Sequence, residues 1–162
     1  MNTISNIEQL KNYFHSSLKS LRKHPFHTDD YELQLERVFE KRLTEITDII
    51  LNQTKKQMDL IEDFQELYKL VNDLIDRSLE MGFSENQKHR LMDLYELRKD
   101  SIMRKKLAEI DVTLENINDI QELKDYWDSI KWYLQSNRRF LGKEFEHLIA
   151  KKFDRIKVEL AS

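Results

Sequence analysis

The sequence contains no cysteine, only one proline and only two glycines among its 162 residues. Without a thiol the chain forms no disulfide, thiolate metal site or cysteine nucleophile. Scarce turn residues disfavour a sheet built from hairpins, because hairpin turns depend on glycine, proline and asparagine. The sequence also has no apolar run long enough to cross a membrane and no cleavable apolar leader. We therefore expect an all-α protein that works in the cytoplasm without a membrane partner.

One stretch recurs three times along the chain, as IEQLKNYF, FQELYKLV and IQELKDYW. Its central leucines are Leu10, Leu67 and Leu123, which are 57 and 56 positions apart. Internal repeats of this size indicate stacked supersecondary units. We predict three tandem αα-hairpins of about 56 residues, over residues 4–57, 58–114 and 115–160. They would stack into a six-helix bundle or a short superhelical array, within a single domain that covers residues 1–162.

Helix ends are predicted from capping residues and helix breakers. Pro25 and Gly82 fall in the turns of the first two hairpins. Asp29 or Asp30 is expected to cap the second helix, Asp63 the third, and Ser84 or Glu85 the fourth. Apolar spacing continues between the hairpins, so four long helices are an alternative to six. Six are favoured because residues 111–119 (DVTLENIND) combine poor helix formers with good caps.

Apolar residues three or four positions apart define the face of each helix that is expected to point inward. On the second helix this face comprises Tyr31, Leu35, Val38, Phe39, Leu43, Ile46 and Ile50. On the last helix it comprises Leu141, Phe145, Leu148, Ile149, Phe153 and Ile156. Beside this face Arg42, Arg98 and Lys152 recur at equivalent positions. They are interpreted as side chains whose methylene groups lie along the core edge and whose head groups reach solvent or a carboxylate. A ladder of anion contacts along one face is the alternative.

Two residue clusters carry metal-ligating side chains, but neither makes a convincing site. His24, His27, Asp29 and Asp30 lie in one turn and could bind zinc. Glu144 and His147 have the Glu-x-x-His spacing of di-iron bundles, which require a second such pair. The sequence has no second pair, no phosphate-binding loop and no nucleophile elbow. We predict no catalytic residue, no bound metal and no cofactor.

Charge is distributed unevenly along the chain, although the net charge is only −3. Residues 58–80 carry seven acidic and two basic side chains, whereas residues 131–158 carry eight basic and three acidic ones. Opposite patches of this kind are most often ordinary solvated faces. They could also pair within the chain or head-to-tail between copies. The third hairpin therefore holds the predicted partner-binding residues, which are Lys131, Trp132, Tyr133, Arg138, Arg139, Phe140 and Lys143. Trp132 is interpreted as a residue buried in a second seam against a neighbouring hairpin. The alternative is that it is exposed and anchors a partner protein.

These observations favour a non-catalytic helical adaptor or small regulatory module that binds a protein partner. A nucleic-acid-binding accessory protein is the first alternative, with Arg138, Arg139, Lys143, Lys151, Lys152 and Arg155 as phosphate contacts. A metal-dependent helical-bundle enzyme at the two metal-ligand clusters is the second. Association of the chain with a second copy of itself is a further alternative.

Overall fold

The computed structural model describes residues 3–162, with side chains from Asn6 onward, and contains six α-helices and no strand in that range. The helices are α1 (Thr3–Arg22), α2 (Asp29–Leu60), α3 (Phe64–Asp76), α4 (Glu85–Asn116), α5 (Ile120–Ser136) and α6 (Lys143–Ala161). The all-α prediction and the choice of six helices over four are confirmed. The capping-box spacings Ser5–Glu8 and Asn6–Gln9 predict that the first helix begins near residue 5 or 6, whereas α1 begins at Thr3. The side chain of Ser5 lies outside the described part of the chain.

The chain divides into two compact units, Met1–Leu97 and Arg98–Ser162. In the first unit α1 packs against α2 across the turn at residues 23–28, which makes an αα-hairpin. In the second unit α5 packs against α6 in the same way across residues 137–142. Helix α4 begins in the first unit and ends in the second. The prediction of a single domain stays a prediction.

Several helix boundaries recur at an interval of 56 positions. Helices α2 and α4 are each 32 residues long, and both ends of α4 follow those of α2 by 56 positions. The start of α5 follows the start of α3 by 56 positions as well. Only residues 61–63 and 117–119 separate the helices on either side, so the helical part of each connector is longer than predicted.

Residues 111–116 were predicted as part of a loop but belong to helix α4. Intrinsic propensity disfavours a helix here by only tenths of a kcal/mol per residue. Ile110 and Leu114 are 0% and 4% exposed, and burial of such side chains is worth about 1.5–3 kcal/mol each. Burial therefore outweighs the weak propensity, and the helix continues to Asn116.

Capping at the helix starts agrees with the prediction in three helices and differs in one. Asp63 accepts a hydrogen bond from the Glu66 N–H, as a capping residue does. Ser84 exchanges backbone and side-chain bonds with Gln87, which is the reciprocal arrangement of a capping box. For α2 the prediction of Asp29 or Asp30 was wrong. Thr28 occupies the N-cap position with an extended backbone, and Asp29 is already the first helical residue.

The third of these caps, Asp119, accepts from the N–H groups of Gln121 and Glu122 at 2.7 and 2.9 Å. Asp119 is the last of residues 111–119, the segment that was predicted to contain good helix-capping residues. Like Asp63 in front of α3, it holds the chain in an extended conformation just before the helix. The two caps are 56 positions apart, in step with the helix starts.

The core is formed mainly by the predicted inward faces, with three corrections. Tyr31, Val38 and Leu148 were expected to point inward but are 50%, 66% and 44% exposed. Tyr31 and Val38 lie in the N-terminal half of α2, where no residue is fully buried and only half-buried ones such as Phe39 face α1. On α6, Leu148 and Ile149 were both expected to point inward, but only Ile149 is fully buried. A helix that packs against one neighbour buries a narrower stripe than the sequence pattern covers.

Arg42 and Lys152, two of the basic residues beside the inward face, each contact a carboxylate. The Arg42 Nη1 atom lies 2.8 Å from Glu45 Oε2. The Lys152 Nζ atom lies 2.5 Å from Asp111 Oδ1, which joins α6 to α4 within the second unit. No helix in the described part of the chain is both long enough and apolar enough to span a bilayer.

Candidate binding groove

A groove runs between α5 and α6 in the second unit. It consists of two adjoining cavities of about 520 and 190 Å³, which share Trp127 and Ala150. We call them the large and the small compartment. The large compartment is lined by Trp127, Lys131, Leu134, Gln135, Arg138, Lys143, Glu146, His147 and Ala150. The small compartment is lined by Ile120, Leu123, Lys124, Trp127, Ala150, Phe153, Asp154 and Lys157.

Helical spacing produces this groove from the sequence. The lining residues of each helix recur three or four positions apart, so they share one face. Ala150 leaves open space where the two compartments meet, because its methyl group is much smaller than the side chains of His147 and Phe153 on the same face of α6. The Trp127 ring packs against Phe153 at a centroid distance of 4.7 Å and an interplanar angle of 51°. The floor of the groove is therefore apolar and held in place by aromatic packing.

The rim of the large compartment is positively charged. Lys131, Arg138 and Lys143 face a single carboxylate, that of Glu146. Lys131 is partly neutralised by Asp128, whose Oδ1 atom lies 2.8 Å from its Nζ atom. Within residues 6–162, the side chains of Arg138 and Lys143 have no ion-pair partner. Cations without partners beside an apolar floor favour a ligand that has both acidic and apolar groups.

The structure brings three of the seven predicted partner-binding residues to this groove, namely Lys131, Arg138 and Lys143. Trp132 is 71% exposed and lies outside the lining, so the interpretation as a buried seam is wrong. Phe140, another of the predicted partner-binding residues, is 8% exposed and belongs to the core, and its part in binding stays a prediction. Arg139 covers its ring, with the guanidinium carbon 5.1 Å from the centroid.

Tyr133 is half-buried rather than presented to solvent. The Lys106 ammonium of α4 lies 4.6 Å from the centroid of its ring, within the range of a cation–π interaction. Tyr133 therefore helps to hold α5 against α4 in the second unit. It is not among the residues that line the groove.

Sequence reasoning missed the floor of the groove. Trp127 was interpreted as packing alone, and Leu134 and Ala150 were not singled out for function. One signal could have found the site. Ala150 is one of three alanines in the sequence, and the residues three positions before and after it, His147 and Phe153, are both large. A small residue at such a position creates a depression between two packed helices.

The candidate metal cluster at the first turn converges only in part. Ligand atoms of His27, Asp29 and Glu32 lie within 4.8 Å of one another, so Glu32 takes the place expected for His24 and Asp30. The Arg22 Nε atom donates to Glu32 Oε1 at 2.7 Å, and His27 Nε2 lies 3.3 Å from the same oxygen. The Arg22 guanidinium holds the pKa of Glu32 below its ordinary value. The positively charged guanidinium of Arg22 is already hydrogen-bonded to the Glu32 carboxylate, and it would repel a divalent cation at this position.

The Glu144–His147 pair does not make a metal centre either. His147 lines the large compartment of the groove, whereas Glu144 is exposed. Within the part of the chain that the structure describes, these two residues join no group of three metal-ligating side chains. His147 instead contributes an imidazole to the rim of the large compartment.

Comparison with protein-family models, with curated proteins and with solved structures gives no match. Similarity to a known protein therefore contributes nothing to the functional argument, which is based on the geometry and chemistry of the groove.

Proposed function

We propose that this protein is a non-catalytic interaction module that binds a segment of a partner protein in the α5/α6 groove. The observation that carries the proposal is the apolar floor of Trp127, Leu134 and Ala150 beneath two cations, Arg138 and Lys143, that have no ion-pair partner among the described side chains of residues 6–162. Grooves between helices commonly accept the apolar face of a peptide, while charges at the rim select the partner.

A protein segment fits the groove better than nucleic acid does. Two of the cations considered for phosphate binding are already paired, Lys152 with Asp111 and Arg155 with Glu159 at 3.1 Å. Lys151 does not line the groove, and Glu146 and Asp154 place negative charge at its rim. Trp127 is half-buried against Phe153, so its ring is not a free platform for base stacking.

We also propose that the chain is organised as three αα-hairpin repeats. Support comes from the interval of 56 positions between both ends of α2 and α4 and between the starts of α3 and α5. The caps Asp63 and Asp119 are equivalent as well. The first and third hairpins are the helix pairs that pack most closely, α1 with α2 and α5 with α6. In this arrangement α3 and α4 form the middle repeat.

The proposed function can be tested by selecting binders from a library of displayed protein-derived peptides. The same library is then screened on Ala150→Phe, which fills the groove, and on Ala108→Phe, which places the same side chain at an exposed position of α4. We expect the selected peptides to bind the unmodified protein and Ala108→Phe. Binding to Ala150→Phe should be at least about tenfold weaker, a loss of about 1.4 kcal/mol.

Two results would contradict the proposed function. One is that no peptide is enriched, or that enriched peptides bind Ala150→Phe as tightly as the unmodified protein. The other is tight binding of single-stranded RNA or DNA with a steep salt dependence, since that dependence indicates phosphate contacts. Circular dichroism of both variants shows whether the helical fold is retained.

A further inference from the structure

We infer that the occupant of the groove is an amphipathic α-helix with an acidic cluster and an apolar anchor about 11 residues apart on one face. This inference rests on the proposed function and specifies the chemistry of the partner. Its basis is the difference between the large and the small compartment, together with the distance between them along α5.

The large compartment selects acidic side chains. Three cations and the titratable His147 surround it, against the one carboxylate of Glu146. Neither Arg138 nor Lys143 is neutralised by another side chain among residues 6–162. Aspartate or glutamate residues of a partner would supply the missing opposite charges, and charge-assisted hydrogen bonds to Arg138 could be bidentate.

The small compartment selects an apolar side chain. Ile120, Leu123 and Phe153 line it together with Trp127 and Ala150. Asp154 lines the compartment together with Lys124 and Lys157, so its negative charge partly offsets their positive charges. Its volume of about 190 Å³ is little more than a third of the large compartment and suits one leucine, isoleucine or phenylalanine. A side chain of that kind gains about 1.5–3 kcal/mol from full burial.

The spacing between the compartments defines the spacing on the partner. Leu123 lines the small compartment and Leu134 the large one, and they are 11 positions apart on α5. That interval corresponds to about 16 Å along the helix and to about three turns. A partner helix lying along the groove has the same rise and pitch. Its anchor and its acidic cluster therefore fall on the same face when they are about 11 residues apart.

A helix satisfies the chemistry of the floor better than an extended peptide does. Few lining side chains could accept hydrogen bonds from the N–H groups of an extended chain, with Gln135 and Glu146 the main ones in the large compartment. An extended segment would leave buried N–H groups without acceptors, which is costly. A helix pairs those groups internally and presents only side chains to the groove.

A second copy of this chain does not supply the required helix from its acidic region. Helix α3 lies in the acidic stretch, but its apolar residues Phe64, Leu67 and Val71 are 2%, 0% and 3% exposed. They are committed to the core of the first unit. Presenting them to another molecule would require that unit to open, so a different protein is the better source of the partner helix.

The experiment uses two synthetic helices of about 18 residues with identical composition. One places a leucine 11 residues from a cluster of three glutamates, and the other places it nine residues away. Nine residues correspond to about two and a half turns, so the leucine of the second peptide faces the opposite side. Fluorescence anisotropy with labelled peptides measures the Kd for the full-length protein. We expect the first peptide to bind at least about tenfold more tightly than the second.

The protein side of the test reverses two cations of the large compartment. The double variant Arg138→Glu, Lys143→Glu should weaken binding of the first peptide by at least about tenfold. The control Lys151→Glu changes an exposed residue of α6 that does not line the groove, and it should leave the Kd within about twofold.

Equal Kd values for the two peptides, or an unchanged Kd for the double variant, would overturn the inference. Displayed peptides that depend on Ala150 but carry no acidic residue would overturn it as well, while leaving the proposed function in place. If, in addition, the displayed library yields no peptide whose binding is weakened by Ala150→Phe, the proposed function is contradicted as well.

Discussion

Two glycines illustrate how the same residue type serves different purposes in this chain. Gly82 has a φ of +73°, a left-handed conformation that costs other residues about 1–2 kcal/mol. A Cβ atom at this position would also lie only 2.8 Å from Leu43 Cδ2. Gly142 is the N-cap of α6, with an extended backbone and open space around the position of a Cβ atom. The backbone conformation therefore requires glycine at position 82 but not at position 142.

Serine substitutions at the two glycines should therefore change stability in opposite directions. Gly82→Ser should lower the free energy of unfolding by about 1–2 kcal/mol, because serine is strained at positive φ. Gly142→Ser should raise it by a few tenths of a kcal/mol, since its hydroxyl can cap α6. Urea unfolding monitored by circular dichroism measures both changes. Equal effects at the two positions would contradict this account of the turns.

A second prediction at the residue scale concerns pH. Arg22 donates to the Glu32 carboxylate and thereby lowers the pKa of Glu32 below its ordinary value. The unfolded state then binds protons more readily than the folded state. The contribution of Glu32 to stability is fully present above the ordinary glutamate pKa, and it is lost as the pH falls through the lowered pKa.

Glu32→Gln should therefore destabilise the protein at neutral pH and have progressively less effect as the pH falls below the ordinary glutamate range. The matched control is Glu40→Gln, an exposed carboxylate two turns further along α2. Thermal unfolding of the two variants and the unmodified protein between neutral and acidic pH provides the comparison. A pH-independent difference between Glu32→Gln and the unmodified protein would contradict the role assigned to the Arg22–Glu32 pair.

At the scale of elements, the helix starts depend on a few capping side chains. Asp63 and Asp119 satisfy backbone N–H groups in the first turns of α3 and α5. Asp63→Ala and Asp119→Ala should each cost about 1 kcal/mol, the usual loss for an N-cap. Asp93→Ala, an exposed substitution inside α4, is the control and should be within about 0.5 kcal/mol of the unmodified protein. Chemical unfolding of the three variants checks the prediction.

The helices themselves were largely predictable, because apolar spacing, capping residues and breakers agree along most of the chain. Their C-terminal ends were not. Local propensity placed residues 111–116 in a loop, whereas burial of Leu114 keeps them helical. Likewise, spacing alone cannot show how many neighbours cover a helix. Val38 therefore shares the apolar pattern of α2 but remains 66% exposed.

At the scale of the molecule, the sequence predicted the cationic part of the site but not the groove. A charge excess is visible in composition, and Lys131, Arg138 and Lys143 were found that way. The floor depends on how α5 and α6 pack, which determines that Ala150 opens a space beside Trp127. Exposure also depends on packing. Phe140 and Trp132 are similar aromatic residues in one segment, yet the first is buried and the second is 71% exposed.

The central claim is that a partner helix covers Trp127 in the α5/α6 groove, and the two tryptophans of the chain allow a direct measurement. Trp132→Phe leaves Trp127 as the sole tryptophan, and Trp127→Phe leaves Trp132, which lies outside the groove lining. Both are titrated with the acidic peptide whose leucine lies 11 residues from its glutamates. We predict a saturable blue shift of Trp127 emission in Trp132→Phe and no shift of Trp132 emission in Trp127→Phe. Unchanged Trp127 emission while anisotropy reports bound peptide would contradict the claim.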